Sequence, residues 1–131
     1  MRQHQLGFLA FAILTCLSTL PAAAGVEGLW VAPDGALIRI SACGGAMCGY
    51  VSGGGPGGTD GATAGVQVLD SMRPSGRGKW TGRLYNPKDG NTYTGNLIEI
   101  GPNRIRIEGC LLMFCGGETL TRAASNASSS N

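Results

Sequence analysis

The sequence holds one histidine in 131 residues, and it is His4. From residue 25 onward there is none, so a single copy cannot assemble a Ser-His-Asp triad, a Cys-His dyad or a histidine-ligated zinc. Charge is scarce as well. Ten Lys+Arg against eight Asp+Glu give a net charge of +2, with only 14% of residues charged. Such a balance lacks the basic footprint of a nucleic-acid binder. No helical period runs anywhere beyond residue 24, and the length suits about one domain, which excludes a doubly wound dinucleotide fold or an α/β barrel. Asp70, Asp89, Glu99 and Glu108 could serve as acids or bases, but their spacing gives no pair of readable geometry. Asp89 belongs to a turn and Glu108 to an outward strand position. The chain is read as a non-enzyme with no cofactor and no metal.

The first 24 residues have the three parts of a secretory signal. Arg2 gives the basic start, Leu6 to Leu20 the apolar run, and Pro21-Ala22-Ala23-Ala24 the small residues that a signal peptidase accepts. A retained anchor needs ~17–25 apolar residues. Helix-breaking Pro21 and the small-residue run favour cleavage after Ala24 instead. Residues 1–24 are therefore expected to be a signal peptide, with no stable membrane span after cleavage and a periplasmic or secreted destination.

Glycine is what the chain has in excess. All but one of its 23 glycines follow residue 24, and they separate short β-branched runs, the pattern of a tight-turned β protein. Strands are predicted at 26–31, 36–41, 48–52, 66–69, 79–85, 91–100, 104–108 and 117–122. In the second, Ile38 and Ile40 face the core while Leu37, Arg39 and Ser41 face out. Residues 104–108 alternate in the same way, with Ile105 and Ile107 inward. Asn86-Pro87-Lys88-Asp89-Gly90 and Gly101-Pro102-Asn103 read as hairpin turns. Ala32-Pro33-Asp34-Gly35 and the stretch from Met72 to Gly78 read as further turns. Gly53 to Gly61 has too little apolar surface to offset its ordering entropy and is expected to be a loose loop. The fold class is all-β: a small eight-stranded antiparallel up-and-down barrel over residues 25–122, because closure removes exposed edges. A β-sandwich is the alternative. Residues 123–131 are a polar tail, expected to be disordered.

Four cysteines remain after the signal, as two matched pairs, Cys43-x4-Cys48 and Cys110-x4-Cys115. An even count in an exported chain reads as disulfides. Each pair flanks a hairpin end, where facing residues lie close enough to bridge, so Cys43–Cys48 and Cys110–Cys115 are expected. Cross-pairing stays open if the strands are neighbours. A four-cysteine zinc site would use shorter knuckle spacing.

Gly28-Leu29-Trp30 near the start and Arg122 in the last strand resemble the lipocalin-type (calycin) pattern. That resemblance implies that Trp30 plugs the barrel floor with the Arg122 guanidinium over its ring, a pair worth ~0.5–2 kcal/mol. A longer resemblance covers nearly all of the chain after the signal. Gly28-Leu29-Trp30, Ile38-Arg39-Ile40-Ser41-Ala42-Cys43, Met47-Cys48-Gly49, the block from Trp80 to Tyr93 and Ile105-Arg106-Ile107-Glu108-Gly109-Cys110 are similar to the exported bacterial family known as domain of unknown function 2147. It implies a periplasmic or secreted lipocalin-like barrel and brings no catalytic residues. Two departures stand out. The glycine run from Gly53 replaces a usual Asn-Pro segment, and Leu120 stands where the family tends to have tryptophan, which would remove an aromatic wall from a ligand pocket.

On this reading the chain is a binding module for a small apolar or amphipathic ligand, with Tyr50, Trp80, Tyr85 and Tyr93 as candidate ligand-binding residues, since rings with a polar tip suit a mainly apolar pocket. The alternative is an envelope structural or interaction module with a filled barrel. An envelope protein partner would then dock through Leu111, Leu112, Met113 and Phe114, a four-residue apolar tip that could equally fold over the barrel end as a lid.

Overall fold

Strict alternation of apolar and polar residues puts one side chain in two on the same face of a strand, and a sheet with one apolar face must cover it, by closing on itself or by packing on another layer. A computed structural model describes residues 7, 10–15, 25–53 and 63–124, and in it the sheet closes on itself. The strands run in chain order: β1 (Gly28–Val31), β2 (Leu37–Cys43), β3 (Ala46–Gly53), β4 (Gln67–Gly76), β5 (Lys79–Asn86), β6 (Asn91–Gly101), β7 (Arg104–Leu111) and β8 (Phe114–Arg122). All neighbours are antiparallel, and β1 closes the barrel on β8 through Trp30↔Arg122 and Val31↔Thr121. The fold is thus the expected all-β, eight-stranded up-and-down barrel. Among the described residues no helix is long and apolar enough to cross a membrane.

The core gathers at one end, here the floor. Trp30, Leu69, Met72, Leu97, Ile105 and Leu120 have no exposed surface there. The indole N–H of Trp30 donates to the Val26 carbonyl at 2.9 Å, so the largest buried ring leaves no polar atom unpaired. Above it, Ile38, Val51, Val68 and Ile107 form an apolar belt. Hairpin connectivity then fixes which turns share an end. The β2–β3, β4–β5 and β6–β7 turns lie at the floor, and the β1–β2, β5–β6 and β7–β8 turns lie at the opposite rim.

Two expectations need correcting. Met72 to Gly76 is strand, not turn; only residues 77 and 78 turn. Pro74 and Gly76 look like turn residues, but they pair with Trp80 and Lys79 across a register shift of their own, and a second irregularity lies between Asp70 and Arg73, with Ser71 at φ 52°. Gly82 on β5 makes room for that bulge. A Cβ there would lie 2.6 Å from the carbonyl oxygens of both Asp70 and Ser71. The cysteine hairpins are also tighter than read. Their turns are the two residues Gly44-Gly45 and Leu112-Met113, and the strands run almost to the tips.

Both disulfides form within the matched pairs, Cys43–Cys48 and Cys110–Cys115. They sit at opposite ends. The first clips the β2–β3 hairpin at the floor and the second clips the β7–β8 hairpin at the rim.

Candidate functional site

The floor is sealed by one arginine. The guanidinium carbon of Arg122 stands 4.3 Å over the centre of the Trp30 ring. Its nitrogens donate to the carbonyls of Pro102 at 3.0 Å, Glu27 at 2.9 Å and Gly25 at 2.6 Å. Glycine at position 28 is required for this. Its φ is +135°, and a Cβ would lie 2.7 Å from Arg122 Nη1. The G-x-W signature is therefore a steric condition for the arginine clamp as much as a sequence mark.

The rim end is open. A cavity of about 400 Å³ enters the barrel there and ends on Ile38, Val51, Val68 and Ile107. It exists because the inward positions near the rim are small: Ala32, Ala36, Gly109 and Gly116 line it. Gly109 and Gly116 face each other across β7 and β8. A Cβ on Gly116 would meet nothing within 4 Å, so that position opens on empty space. Sequence patterning does not single out these residues, because a glycine has no apolar side chain to mark its parity. Only the pairing shows that both face inward.

The tyrosines divide. Tyr93, opposite Leu84 on the inner face, and Tyr85 at the lip both border the cavity. Tyr50 lies outside it, 40% exposed and paired with Arg39. Trp80 packs against the floor core beside Leu97 and does not line the cavity. Leu120 likewise belongs to the floor, so its replacement of a family tryptophan removes no cavity wall.

Charged groups gather at the mouth. Asp34 from the β1–β2 turn accepts from the Ala36 amide at 2.9 Å and pairs with Lys88 of the β5–β6 turn at 3.4 Å. The Ala36 hydrogen bond holds the Asp34 carboxyl below its ordinary range; partial burial opposes this and Lys88 reinforces it. Tyr93 donates its hydroxyl to Asp89, which also accepts from the Asn91 amide at 2.8 Å. That pairing lowers the Asp89 pKa, the tyrosine bond first and the Asn91 amide second, and raises that of Tyr93. Glu118 adds a carboxylate deeper in the lining, opposite Ile107 of the belt. The result is a mainly apolar shaft with one inner carboxylate and a polar collar, an arrangement that holds a molecule with an apolar body and a polar end.

The other carboxylates are engaged elsewhere. Asp70 pairs with Arg83 on the outer wall. Glu99 lies at the floor beside Gly25. Glu108 accepts from Asn96 at 3.0 Å and from Arg106 at 3.3 Å. Glu108 also neighbours the sulfurs of Cys110 and Cys115, but their disulfide leaves that trio one free ligand, the carboxylate.

Residues 28–122 match the family described as an uncharacterized protein conserved in bacteria, DUF2147. The chain belongs to this family. No curated protein matches it. Among solved structures, this DUF2147 member is similar in fold to HP1028 of Helicobacter pylori, described as belonging to the lipocalin family. The TM-score is 0.60 at 12% identity, over 77% of this chain and 84% of that one. The likeness carries the lipocalin-like fold alone.

Proposed function

We propose that this DUF2147 protein is a non-catalytic carrier of a small amphipathic molecule in the periplasm or outside the cell. The observation that carries the reading is the cavity of about 400 Å³, closed below by the apolar belt and open at a rim with Asp34, Lys88 and Tyr93. Its volume lies within the ~300–1,000 Å³ common for ligand pockets. Two disulfides accord with an oxidising compartment. The Gly25 carbonyl, just past the expected cleavage point, is held by Arg122. Residues 1–6, 8–9 and 16–24 of the expected signal fall outside the described residues, as do residues 54–61 of the expected loop and 125–131 of the tail.

The test pairs a native mass spectrum of protein isolated from the periplasm with titration of anilinonaphthalenesulfonate, an amphipathic dye. Wild-type protein should carry a discrete adduct and enhance dye emission. Gly116→Phe fills the shaft from a position with free space, so it should abolish both while leaving the fold intact. Dye enhancement that survives Gly116→Phe, together with an adduct-free spectrum, would falsify the carrier reading. In the second reading the rim tip docks a protein; the exposure of Leu111, Leu112, Met113 and Phe114 favours it over a lid.

A further inference from the structure

The β7–β8 tip at the open rim is built of four consecutive apolar residues, and none of them is covered. Leu111, Leu112, Met113 and Phe114 are 67%, 92%, 87% and 77% exposed. Leu111 and Phe114 are a directly opposed pair that continues the inward parity of Gly109 and Gly116 above the rim. From that side they could have closed the mouth, yet they stand free.

The backbone of the tip is set at a cost. Leu112 has φ 57°, the left-handed region in which a two-residue hairpin turn ordinarily uses glycine or asparagine. A bulky leucine there buries nothing within the barrel. The Cys110–Cys115 disulfide sits immediately behind the tip, so the exposed side chains are held out on a rigid base. From Gly109 to Gly117 the sequence has no charged residue, and Glu108 and Glu118 mark the first charges on either side.

We infer that this tip inserts into the surface of a phospholipid bilayer and sets the cavity mouth against it. The apolar surface takes in both strand ends, Leu111 and Phe114, and the apex, Leu112 and Met113, with every side chain exposed, as an interfacial lipid phase would cover it. The apex lies two residue steps beyond the disulfide, about 7 Å at ~3.4 Å per residue. That matches the ~5–10 Å over which interfacial segments bury apolar groups at the headgroup boundary. Leu111 and Phe114 pair across the hairpin, which leaves only the two apex residues outside the ladder, at the depth of the headgroups. Because the tip is uncharged, attachment is hydrophobic and survives salt. The inference stands apart from the carrier reading, since it needs no ligand in the shaft.

The experiment sediments protein isolated from the periplasm with vesicles of phosphatidylethanolamine and phosphatidylglycerol, with and without high salt. Wild-type protein and Gly116→Phe should both sediment, and salt should leave this unchanged. The indole introduced by Phe114→Trp should be quenched by lipids brominated near the headgroup end of the acyl chain. L112D/M113D should lose about tenfold or more in partitioning while keeping both disulfides by mass and its dye binding. Leu112→Gly should melt at a higher temperature than wild type yet bind vesicles more weakly. The idea fails if wild-type protein stays in the supernatant at every lipid ratio, or if salt strips it. It also fails if L112D/M113D binds as well as wild type, or if the tip proves to seat a protein and the indole of Phe114→Trp is not quenched by lipid.

Discussion

At the floor Trp30, Leu97, Ile105 and Leu120 have no exposed surface, whereas at the rim the neighbouring positions Ala32, Tyr93, Gly109 and Gly116 border a cavity. The same four regions of chain contribute to both ends. Side-chain volume falls toward the rim from Trp30 to Ala32, from Ile105 to Gly109 and from Leu120 to Gly116, so one closed sheet is a packed core below and a hollow above. Stability and binding are thereby separated along the barrel axis: substitutions below should unfold the protein, and substitutions above should change what it holds.

The largest effect is expected at the floor. Trp30→Ala removes the buried ring from under the Arg122 guanidinium, and should cost about 3–5 kcal/mol in chemical denaturation. A loss under about 1 kcal/mol, the level of an ordinary substitution, would mean that the floor is not the seat of stability. The disulfides sharpen the comparison, because they close loops of the same length at opposite ends. Chain entropy alone assigns about 2 kcal/mol to each. Replacing each pair by serines should therefore give matching losses; a larger one for Cys43–Cys48 would show that the floor adds packing that the rim lacks.

Smaller effects lie at the rim. Leu112→Gly should stabilise the fold by about 1 kcal/mol, by relieving a left-handed leucine, and thermal unfolding reads it directly. The smallest effect concerns protons. Asp89 has a lowered pKa and Tyr93 a raised one. The carboxylate contribution is present above its unfolded value and fades as pH falls through the folded one. The tyrosine contribution is present below about pH 10 and fades as pH rises through the folded value. Absorbance titration should show Tyr93 ionising late, and Asp89→Asn should bring it back toward the ordinary range. An unchanged titration would remove the Asp89 bond from the rim.

The barrel was legible in the sequence wherever side chains alternate cleanly. Ile38 and Ile40, and Ile105 and Ile107, announce their faces by chemistry alone, and Trp30 with Arg122 announces the closing seam. Legibility ended where a residue type fits two backbones. Pro74 and Gly76 are turn-like in isolation, yet they pair with Trp80 and Lys79 in a strand whose register shifts between them. The cavity was not readable, since Gly109 and Gly116 acquire a direction only through their pairing. Tyr50 and Tyr93 are the same residue on opposite faces. Adjacent Val51, buried, puts Tyr50 outside; Tyr93, opposite Leu84, points in.

The Arg122 clamp also carries a consequence for synthesis. Its partners at Gly25 and Glu27 stand 97 and 95 residues away along the chain, and the β1–β8 seam that it locks is short. Every other strand pair joins consecutive segments and can zip as the polypeptide emerges. This last joint waits for the final strand, and contacts of such separation are the slow ones. A nascent chain that has not yet released residue 122 is an open, floorless ribbon. Only the finished polypeptide can snap shut.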